Sequence, residues 1–451
     1  MSRSWAEIRT TLRRWVILLP VASALGGCSG SSLPELPKLS DLNPFAEPET
    51  KLPGKRVPVV ATSSAVGAAD LAPADRPVSI DAPSAVAGWT QPGGVATNAI
   101  GNVAFSGTAR RVWRVSAGSG STGRAKITSA PVILGDRVFV LDAKSAVSAF
   151  SVTNGSRSWT VSLVPENETA GEGYGGGLAI IDGRLIATTG YGTAFALDPA
   201  NGRKFWDVNV RVPLRASPTA ADGQIFVVGT DGRAFSLSSA DGSELWSFRG
   251  LPQQTSIISN PSPAYANGIV VFPFPTGDLV AIDASSGQPI WTDTLASTRI
   301  AALGALSDAA RPVIHAGRVY GIGHSGRIIA SDLKTGERFW AHSIPGVQPP
   351  AVSGKTLFVV DLQGQLAALD IDSGQAKWAM KLPGGGSWSG PTLAGGRLWL
   401  TSSQGILLGV DAITGTVATR TEVGAPSYFA PVVVNGRMFI LTDAADLLAF
   451  D

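Results

Sequence analysis

The sequence predicts an all-β protein, an eight-bladed β-propeller of four-stranded antiparallel blades, on two observations. A motif recurs seven times, in which a short polar residue is followed by a glycine four positions later and, in six copies, by a tryptophan four positions after that; successive copies end 38 to 49 residues apart. Between the copies, apolar runs of four to six residues alternate with glycine-bearing turns. This alternation is typical of consecutive antiparallel hairpins, and a strand-rich period of about forty residues is typical of propeller blades.

The seven motif copies share their spacing, and the last one lacks its aromatic residue. They are Ser151/Gly155/Trp159, Asp198/Gly202/Trp206, Ser238/Gly242/Trp246, Asp283/Gly287/Trp291, Asp332/Gly336/Trp340, Asp370/Gly374/Trp378 and Asp411/Gly415/Thr419. We expect each tryptophan to bury its ring against the adjoining blade while its indole N–H donates to a carbonyl. Each glycine is expected to supply a positive φ, and each aspartate to cap the turn through its side chain.

A fourth strand completes each predicted blade. In seven units a short strand is expected to begin near a proline, at Pro131, Pro218, Pro263, Pro312, Pro350, Pro391 and Pro431. The last unit, which starts at Pro431, holds only three strands. The segment around Trp113 fits the missing one, since Trp113 lies 46 residues before Trp159. We therefore expect an N-terminal strand to join the C-terminal blade, closing the ring and protecting its edges.

The N-terminus predicts a lipoprotein leader. Four arginines precede an apolar run over residues 15–25 that is too short for a permanent membrane helix. Two glycines and Cys28, the only cysteine in the chain, follow this run. This pattern resembles the lipobox of bacterial lipoproteins, which implies cleavage before Cys28 and lipidation of that residue. The alternative is a stray cysteine near a signal cleavage site. Ser29, where sorting signals for the inner membrane carry aspartate, favours the outer membrane.

Three segments follow from this interpretation: a signal peptide over residues 1–27, a lipidated Pro/Ser/Ala-rich tether over 28–85, and the propeller over 86–451. Removing the leader takes four arginines and one glutamate from totals of 36 basic and 34 acidic residues, which leaves a formal charge of about −1. No basic run remains that would attract nucleic acid. With a single cysteine, an intramolecular disulfide is excluded.

Several catalytic or metal-binding patterns can be set aside. Residues 321–326 match GxGxxG, but they lie between two short strands without the following helix that dinucleotide binding requires. His315, His324 and His342 lack metal-ligand spacing, so surface or turn roles are expected. No nucleophile elbow is present. The sequence predicts no enzyme activity, no metal and no cofactor.

The repeat Ala-Leu-Asp-x-x-x-Gly-x-x-x-Trp, as in residues 196–206 and 368–378, resembles the repeats of pyrroloquinoline quinone (PQQ) propellers, a family of quinoprotein dehydrogenases and non-enzymatic members. Together with the lipobox, the length and the eight blades, residues 100–451 resemble the BamB family of outer-membrane assembly lipoproteins. The resemblance implies a non-enzymatic scaffold, lipid-anchored on the periplasmic face of the outer membrane. Its implied partners are the POTRA domains of BamA, other assembly subunits and unfolded outer-membrane clients.

Two other interpretations stay open: a PQQ-dependent quinoprotein dehydrogenase, or another periplasmic ligand-binding propeller. Dehydrogenases of that kind typically place a vicinal cysteine disulfide over the cofactor and a calcium ion among Glu, Asn and Asp side chains. The single cysteine rules out the disulfide here, and no calcium cluster is evident in the sequence.

The resemblance also implies a BamA contact made by loops of two neighbouring blades. The matching residues are Thr255, Ile257 and Ile258 in one loop and Leu306, Ser307, Asp308 and Arg311 in the other. The chain departs from the family pattern where an arginine often follows the apolar pair and where a second acidic residue follows Asp308, so Arg311 is a candidate for ion pairing. The alternatives are that the isoleucines enter the next strand and that Asp308 caps a turn. Client binding by β-augmentation at outer strands is a further hypothesis.

Overall fold

The computed structural model describes residues 77–250, 261–295, 309–324, 326–384 and 386–451. This part of the chain forms 33 β-strands and no helix. It accordingly contains no helix long and apolar enough to cross a membrane.

Strands β2 to β33 build eight blades, which we number in the chain order of their first strands. Two strands precede the first strand of blade 1, β1 (Gly88–Trp89) and β2 (Arg111–Ser116). Blades 1 to 4 comprise β3 (Val132–Leu134), β4 (Arg137–Leu141), β5 (Ala146–Ser151), β6 (Arg157–Ser162); β7 (Gly176–Ile181), β8 (Arg184–Thr189), β9 (Thr193–Leu197), β10 (Lys204–Asn209); β11 (Thr219–Ala221), β12 (Gln224–Val228), β13 (Arg233–Ser238), β14 (Glu244–Arg249); and β15 (Ala264–Ala266), β16 (Ile269–Pro273), β17 (Asp278–Asp283), β18 (Pro289–Thr294). Blades 5 to 8 comprise β19 (Val313–His315), β20 (Arg318–Ile322), β21 (Ile328–Asp332), β22 (Arg338–His342); β23 (Ala351–Ser353), β24 (Thr356–Val360), β25 (Gln365–Asp370), β26 (Ala376–Lys381); β27 (Thr392–Ala394), β28 (Arg397–Thr401), β29 (Ile406–Asp411), β30 (Val417–Glu422); and β31 (Val432–Val434), β32 (Arg437–Leu441), β33 (Asp446–Phe450).

Each blade is one antiparallel sheet, and the predicted all-β, eight-bladed propeller is confirmed. Each of the seven prolines singled out in the sequence directly precedes the first strand of a blade. In blade 1, β1 pairs beside β3 as a fifth strand. In blade 8 the outermost strand is β2, which pairs with β33 in the order β2-β33-β32-β31.

The two faces of the propeller differ. One face, which we call the loop face, carries the connections between successive blades and the turns between the second and third strands of each blade. On the opposite face, the turn face, lie the turns between first and second strands. Residues 77–109, the N-terminal strap, run across the turn face.

The strap contacts every blade. It bonds to blades 6, 7 and 8 through Asp81 Oδ2 (from the Gly354 amide), the Val103 amide (to the Leu393 carbonyl) and the Val86 carbonyl (from the Asn435 amide). It reaches blade 1 through β1 and blade 2 through the Thr90 carbonyl, which accepts from the Ile180 amide. Gln91 Nε2 donates to the Ala220 carbonyl of blade 3, and Asn98 Nδ2 donates to the carbonyls of Pro263 and Pro312 at the start of blades 4 and 5. Residues 77–85, assigned to the tether from sequence, are thus packed against blades 6 and 7.

The tryptophans of the motif join neighbouring blades as expected. Each indole N–H donates to a carbonyl one or two residues after the polar residue of the next blade's motif. The acceptors are the carbonyls of Thr153, Pro199, Ser239, Ala284, Leu333, Ile371 and Ala412, at 2.8 to 3.2 Å from Trp113, Trp159, Trp206, Trp246, Trp291, Trp340 and Trp378 respectively.

The glycines of the motif have a second purpose besides their positive φ of 70 to 77°. A Cβ added to Gly336 would lie 2.6 Å from Cγ of Trp291 in the preceding blade, and the other six glycines meet the preceding blade's tryptophan in the same way. The sequence analysis did not foresee this contact. Side chain and backbone therefore interlock at seven joints, because only glycine leaves room for the ring.

The motif aspartates cap their turns, as predicted. The side-chain Oδ1 atoms of Asp198, Asp283, Asp332, Asp370 and Asp411 each accept a hydrogen bond from the amide two residues later, at 2.8 to 3.1 Å. At Asp283, hydrogen bonds from Ser285 and then Ser286 lower the pKa of the carboxyl to about 2.

The joint between blades 7 and 8 is built differently. Thr419 stands where the tryptophan would be, and Ala109 occupies the glycine position of blade 8 with a φ of 57°. The missing ring is replaced by Trp399 on the second strand of blade 7, which is fully buried and packs edge-on against Phe105 of the strap at 5.4 Å. Gly409 makes room for it, since a Cβ there would lie 2.9 Å from the Trp399 ring.

The turn of blade 8 is assembled from both parts of the chain. Arg110 and Asp451 exchange backbone hydrogen bonds of 3.0 Å, and the bond from the Asp451 amide to the Arg110 carbonyl matches the one from Asp411 to Thr416 in the unbroken turn of blade 7. Arg437 then holds the Asp451 carboxylate through Nε and Nη2 at 2.6 and 2.9 Å and reaches the carbonyls of Val152 and Thr153 in blade 1. One arginine thus ties the end of blade 8 to the next blade.

Candidate functional site

A central cavity of about 540 Å³ opens on the loop face. Its wall comes from the loops that enter blades 1, 3, 4, 5, 6, 7 and 8, and Pro92 of the strap also contributes. The first strands of the blades begin at these loops, so the cavity lies on the propeller axis. The volume falls within the roughly 300–1,000 Å³ range of ligand pockets in proteins.

Arg311 is the most unusual residue of the cavity wall. It directly precedes the proline that starts blade 5. Its Nε atom is buried and has no hydrogen-bond partner, and no ion pair joins Arg311 to any other described residue. Burial lowers the pKa of the Arg311 guanidinium to about 10, which still leaves it charged at neutral pH.

The remaining cavity wall is mixed in character. Lys126 is a second cation, and Asp443 is the one carboxylate among the described lining residues. Val347, Pro349 and Phe429 give apolar surface. The described wall is therefore positively charged, with apolar patches between the cations.

This wall does not fit the calcium and PQQ centre of a quinoprotein dehydrogenase. Calcium takes about six to eight oxygen ligands, whereas Asp443 alone offers a carboxylate here. Elsewhere in the described ranges, no group of three or more His, Cys, Asp or Glu side chains comes together as a metal site.

A second cavity of about 370 Å³ lies beside blades 6 and 7 and shares Val347 and Gln348 with the central one. Asp361 is buried in its wall: Oδ1 accepts the Gln365 amide at 2.7 Å, whereas Oδ2 has no partner among the described residues. Burial raises the pKa of this carboxyl. The equivalent Asp142 of blade 1 uses its Oδ2 to accept the Ser119 amide at 2.8 Å.

Of the residues implicated in BamA binding from sequence, only Arg311 lies within the described residues. Thr255, Ile257, Ile258, Leu306, Ser307 and Asp308 lie outside them, as does Cys28. In sequence, the two loops connect β14 to β15 and β18 to β19. The role of Arg311 in the cavity wall was not foreseen, because sequence alone does not show which loop side chains face the axis.

The other residues weighed in the sequence have structural positions. The GxGxxG segment runs from β20 towards β21, with a strand rather than a helix following it. The Nε2 atom of His342 lies 2.9 Å from the Ser373 carbonyl of the next blade, and its ring packs on Trp340. His342 thus belongs to an inter-blade joint.

The outer strands carry a β-bulge in all eight blades, one residue before the tryptophan position, as between Lys204 and Trp206. A bulge interrupts the ladder that an added strand would extend, and natural sheets use this device to protect edges. The outer strands are consequently poor templates for β-augmentation over their full length.

Comparison with known proteins identifies the family. The family model described as outer membrane protein assembly factor BamB matches residues 95–174, 164–380 and 363–451. The BamB of Alteromonas naphthalenivorans is 29% identical over 331 residues, which are 69% of this chain and 79% of that protein. The BamB of Yersinia pestis is 24% identical over 347 residues, which are 75% of this chain and 88% of that protein.

Solved structures show the fold. BamB from Moraxella catarrhalis is similar with a TM-score of 0.65 at 18% identity, covering 76% of this chain and 99% of that one. A europium-containing methanol dehydrogenase reaches a TM-score of 0.64 at 13% identity, covering 78% of this chain and 89% of that one. Propeller geometry alone therefore does not separate assembly factors from dehydrogenases. The family match does, since it runs without a gap from residue 95 to residue 451: the chain belongs to the family of the outer membrane protein assembly factor BamB.

Proposed function

We propose that this protein is a non-enzymatic scaffold subunit of an outer-membrane β-barrel assembly machinery, which binds the POTRA domains of BamA and helps to deliver unfolded outer-membrane proteins for insertion. The observation that carries the proposal is the continuous family match over residues 95–451. Membership of a family of outer-membrane assembly factors implies an outer-membrane location and agrees with the expected lack of enzyme activity.

The proposed BamA contact uses the two loops before blades 4 and 5. Their residues Thr255, Ile257 and Ile258, and Leu306, Ser307 and Asp308, combine apolar side chains with one carboxylate. The described residues at the ends of these two loops, such as Pro261 and Ala309, line the cavity on the face opposite the strap, which supports an approach of the partner from that side. Arg311 ends the second loop, but its burial in the cavity wall makes it a weaker candidate for this contact.

A paired substitution tests the contact. We expect Ile257→Asp together with Asp308→Arg to reduce capture of BamA at least tenfold when the full-length lipoprotein is purified from detergent-solubilised outer membranes. The matched control makes the same changes on the turn face, Ile413→Asp with Glu337→Arg, at two exposed residues. Both variants should keep the wild-type circular dichroism spectrum. Full capture of BamA by the folded loop variant would remove this assignment.

The proposed anchor is the lipid on Cys28, on the periplasmic side of the outer membrane. We expect the protein to be released from the membrane fraction when residues 1–28 are replaced by a signal peptide that is cleaved without lipidation, because no other anchor is then proposed. Firm attachment takes at least two acyl chains. Membrane association of the cysteine-free variant after a high-salt wash would contradict lipid anchoring.

A further inference from the structure

The central cavity presents a positive charge that no described residue neutralises. The buried Nε of Arg311 has no partner, and the side chain lines the cavity. Leaving a polar group without a hydrogen bond in a buried position costs free energy. The cavity is the place from which a partner can reach this guanidinium.

The chemistry of the wall restricts that partner. A guanidinium matches the two oxygens of a carboxylate through parallel N–H donors. Lys126 adds a second cation, while Val347, Pro349 and Phe429 would pack against apolar groups beside the anion. A ligand with a carboxylate and a short apolar body meets all of these features.

We propose that the central cavity binds a carboxylate group against Arg311, carried either by the free chain end of a peptide or by a small organic acid. The ligand enters from the loop face, because the strap crosses the opposite face and Pro92 forms part of the cavity wall. The site adjoins the proposed BamA contact, because Arg311 ends the second of the two loops, so the two roles are tested separately below.

Calorimetric titration of the full-length protein in detergent tests the site. The probes are acetyl-alanyl-alanyl-leucine with a free carboxylate, the same peptide as its carboxy-terminal amide, and citrate. We expect the free-carboxylate peptide to bind at least tenfold more tightly than the amide, as befits a charge-assisted hydrogen bond. Binding of citrate but of neither peptide would assign the site to a small acid. Failure of both carboxylate probes to bind at millimolar concentration would overturn the proposal.

Two arginine variants locate the binding. Arg311→Gln should weaken binding of the carboxylate probe at least tenfold, and Arg311→Lys should retain part of the wild-type affinity for the probe. The matched control is Arg215→Gln, because Arg215 is also in an inter-blade loop with a buried, unpartnered Nε, yet its guanidinium stacks on Tyr174 at 4.9 Å and it is not part of the cavity wall.

The outcomes separate this site from the BamA contact. We expect Arg311→Gln to keep the wild-type circular dichroism spectrum, and the loop variant Ile257→Asp/Asp308→Arg to keep wild-type affinity for the carboxylate probe. Unchanged probe affinity in Arg311→Gln, or an equal loss in Arg215→Gln, would overturn the assignment to Arg311. Loss of BamA capture by Arg311→Gln with unchanged probe affinity would move Arg311 to the BamA contact instead.

Discussion

The seven joints built on the motif and the joint between blades 7 and 8 bury aromatic surface in two different ways. At a motif joint, the tryptophan on the outer strand crosses to the next blade and lies over a glycine, as Trp291 does over Gly336. At the exceptional joint, Thr419 and Ala109 take these two positions. The aromatic ring comes instead from Trp399 on the second strand of blade 7, where it is fully buried. The comparison teaches that the ring and the glycine act as a pair: where the ring is absent, the glycine is absent too.

The largest expected difference between the joints lies in their outer-strand residues. Trp291→Ala should lower the free energy of unfolding by about 3–5 kcal/mol, because it leaves a cavity between blades 4 and 5. Thr419→Ala should cost less than about 1 kcal/mol. Chemical denaturation followed by circular dichroism measures both. Similar losses in the two variants would show that the joints do not differ as described.

The glycine should be the next most sensitive position. Gly336→Ala combines a φ of 72° with a Cβ that would lie 2.6 Å from Trp291, and we expect a loss of about 2–4 kcal/mol. The matched variant Ala109→Gly should change the stability by less than about 1 kcal/mol and in the stabilising direction. In a Trp291→Ala background, the loss at Gly336 should shrink to the backbone part alone. Additive losses in that double mutant would break the proposed pairing.

Within blade 7, Gly409 and Trp399 should show the same coupling. Gly409→Ala is expected to cost about 1–3 kcal/mol, because its Cβ would overlap the tryptophan ring. At the position equivalent to Gly409, blades 1 and 6 carry Ala149 and Ala368, and these pair with phenylalanines rather than a tryptophan. Adding Trp399→Phe should therefore recover part of the loss, with a coupling of about 0.5–3 kcal/mol in a double-mutant cycle. No recovery would mean that the two residues do not compensate each other.

The smallest effect concerns the turn caps. Because the folded pKa of Asp283 is about 2 and an unperturbed aspartate titrates near about 3.9, the cap contributes stability that is present above pH 4 and is lost as the pH falls towards 2. Asp283→Asn should be slightly less stable than the wild type at pH 7, and the difference should narrow between pH 4 and pH 2. A difference that stays constant over this range would contradict the role of the charged cap.

Local pattern was enough to predict much of the fold. Within a blade, each strand pairs with the next strand in sequence, so the alternation of apolar runs and glycine turns is visible locally. The blades, the turn caps and the tryptophan hydrogen bonds could therefore be predicted. The strap was not, because residues 77–85 carry no periodicity and are held by contacts with residues such as Gly354, 273 positions away. The cavity position of Arg311 was hidden for the same reason, since the direction of a loop side chain depends on the closed ring around it.

The pairing of β2 with β33 makes the ring depend on a contact between distant parts of the chain. Arg114 and Asp446 meet across 332 residues, and the entropy cost of closing such a loop must be met before the pairing contributes stability. Without β33, β2 has no neighbour in blade 8, and without Asp451, Arg437 loses the carboxylate that it binds. Removal of Asp451 would therefore leave the strands of all eight blades in the chain but take away the carboxylate that holds Arg437 at the joint between blades 8 and 1. The continuity of the ring therefore depends on two short segments more than 300 residues apart, Arg111–Ser116 and residues 446–451.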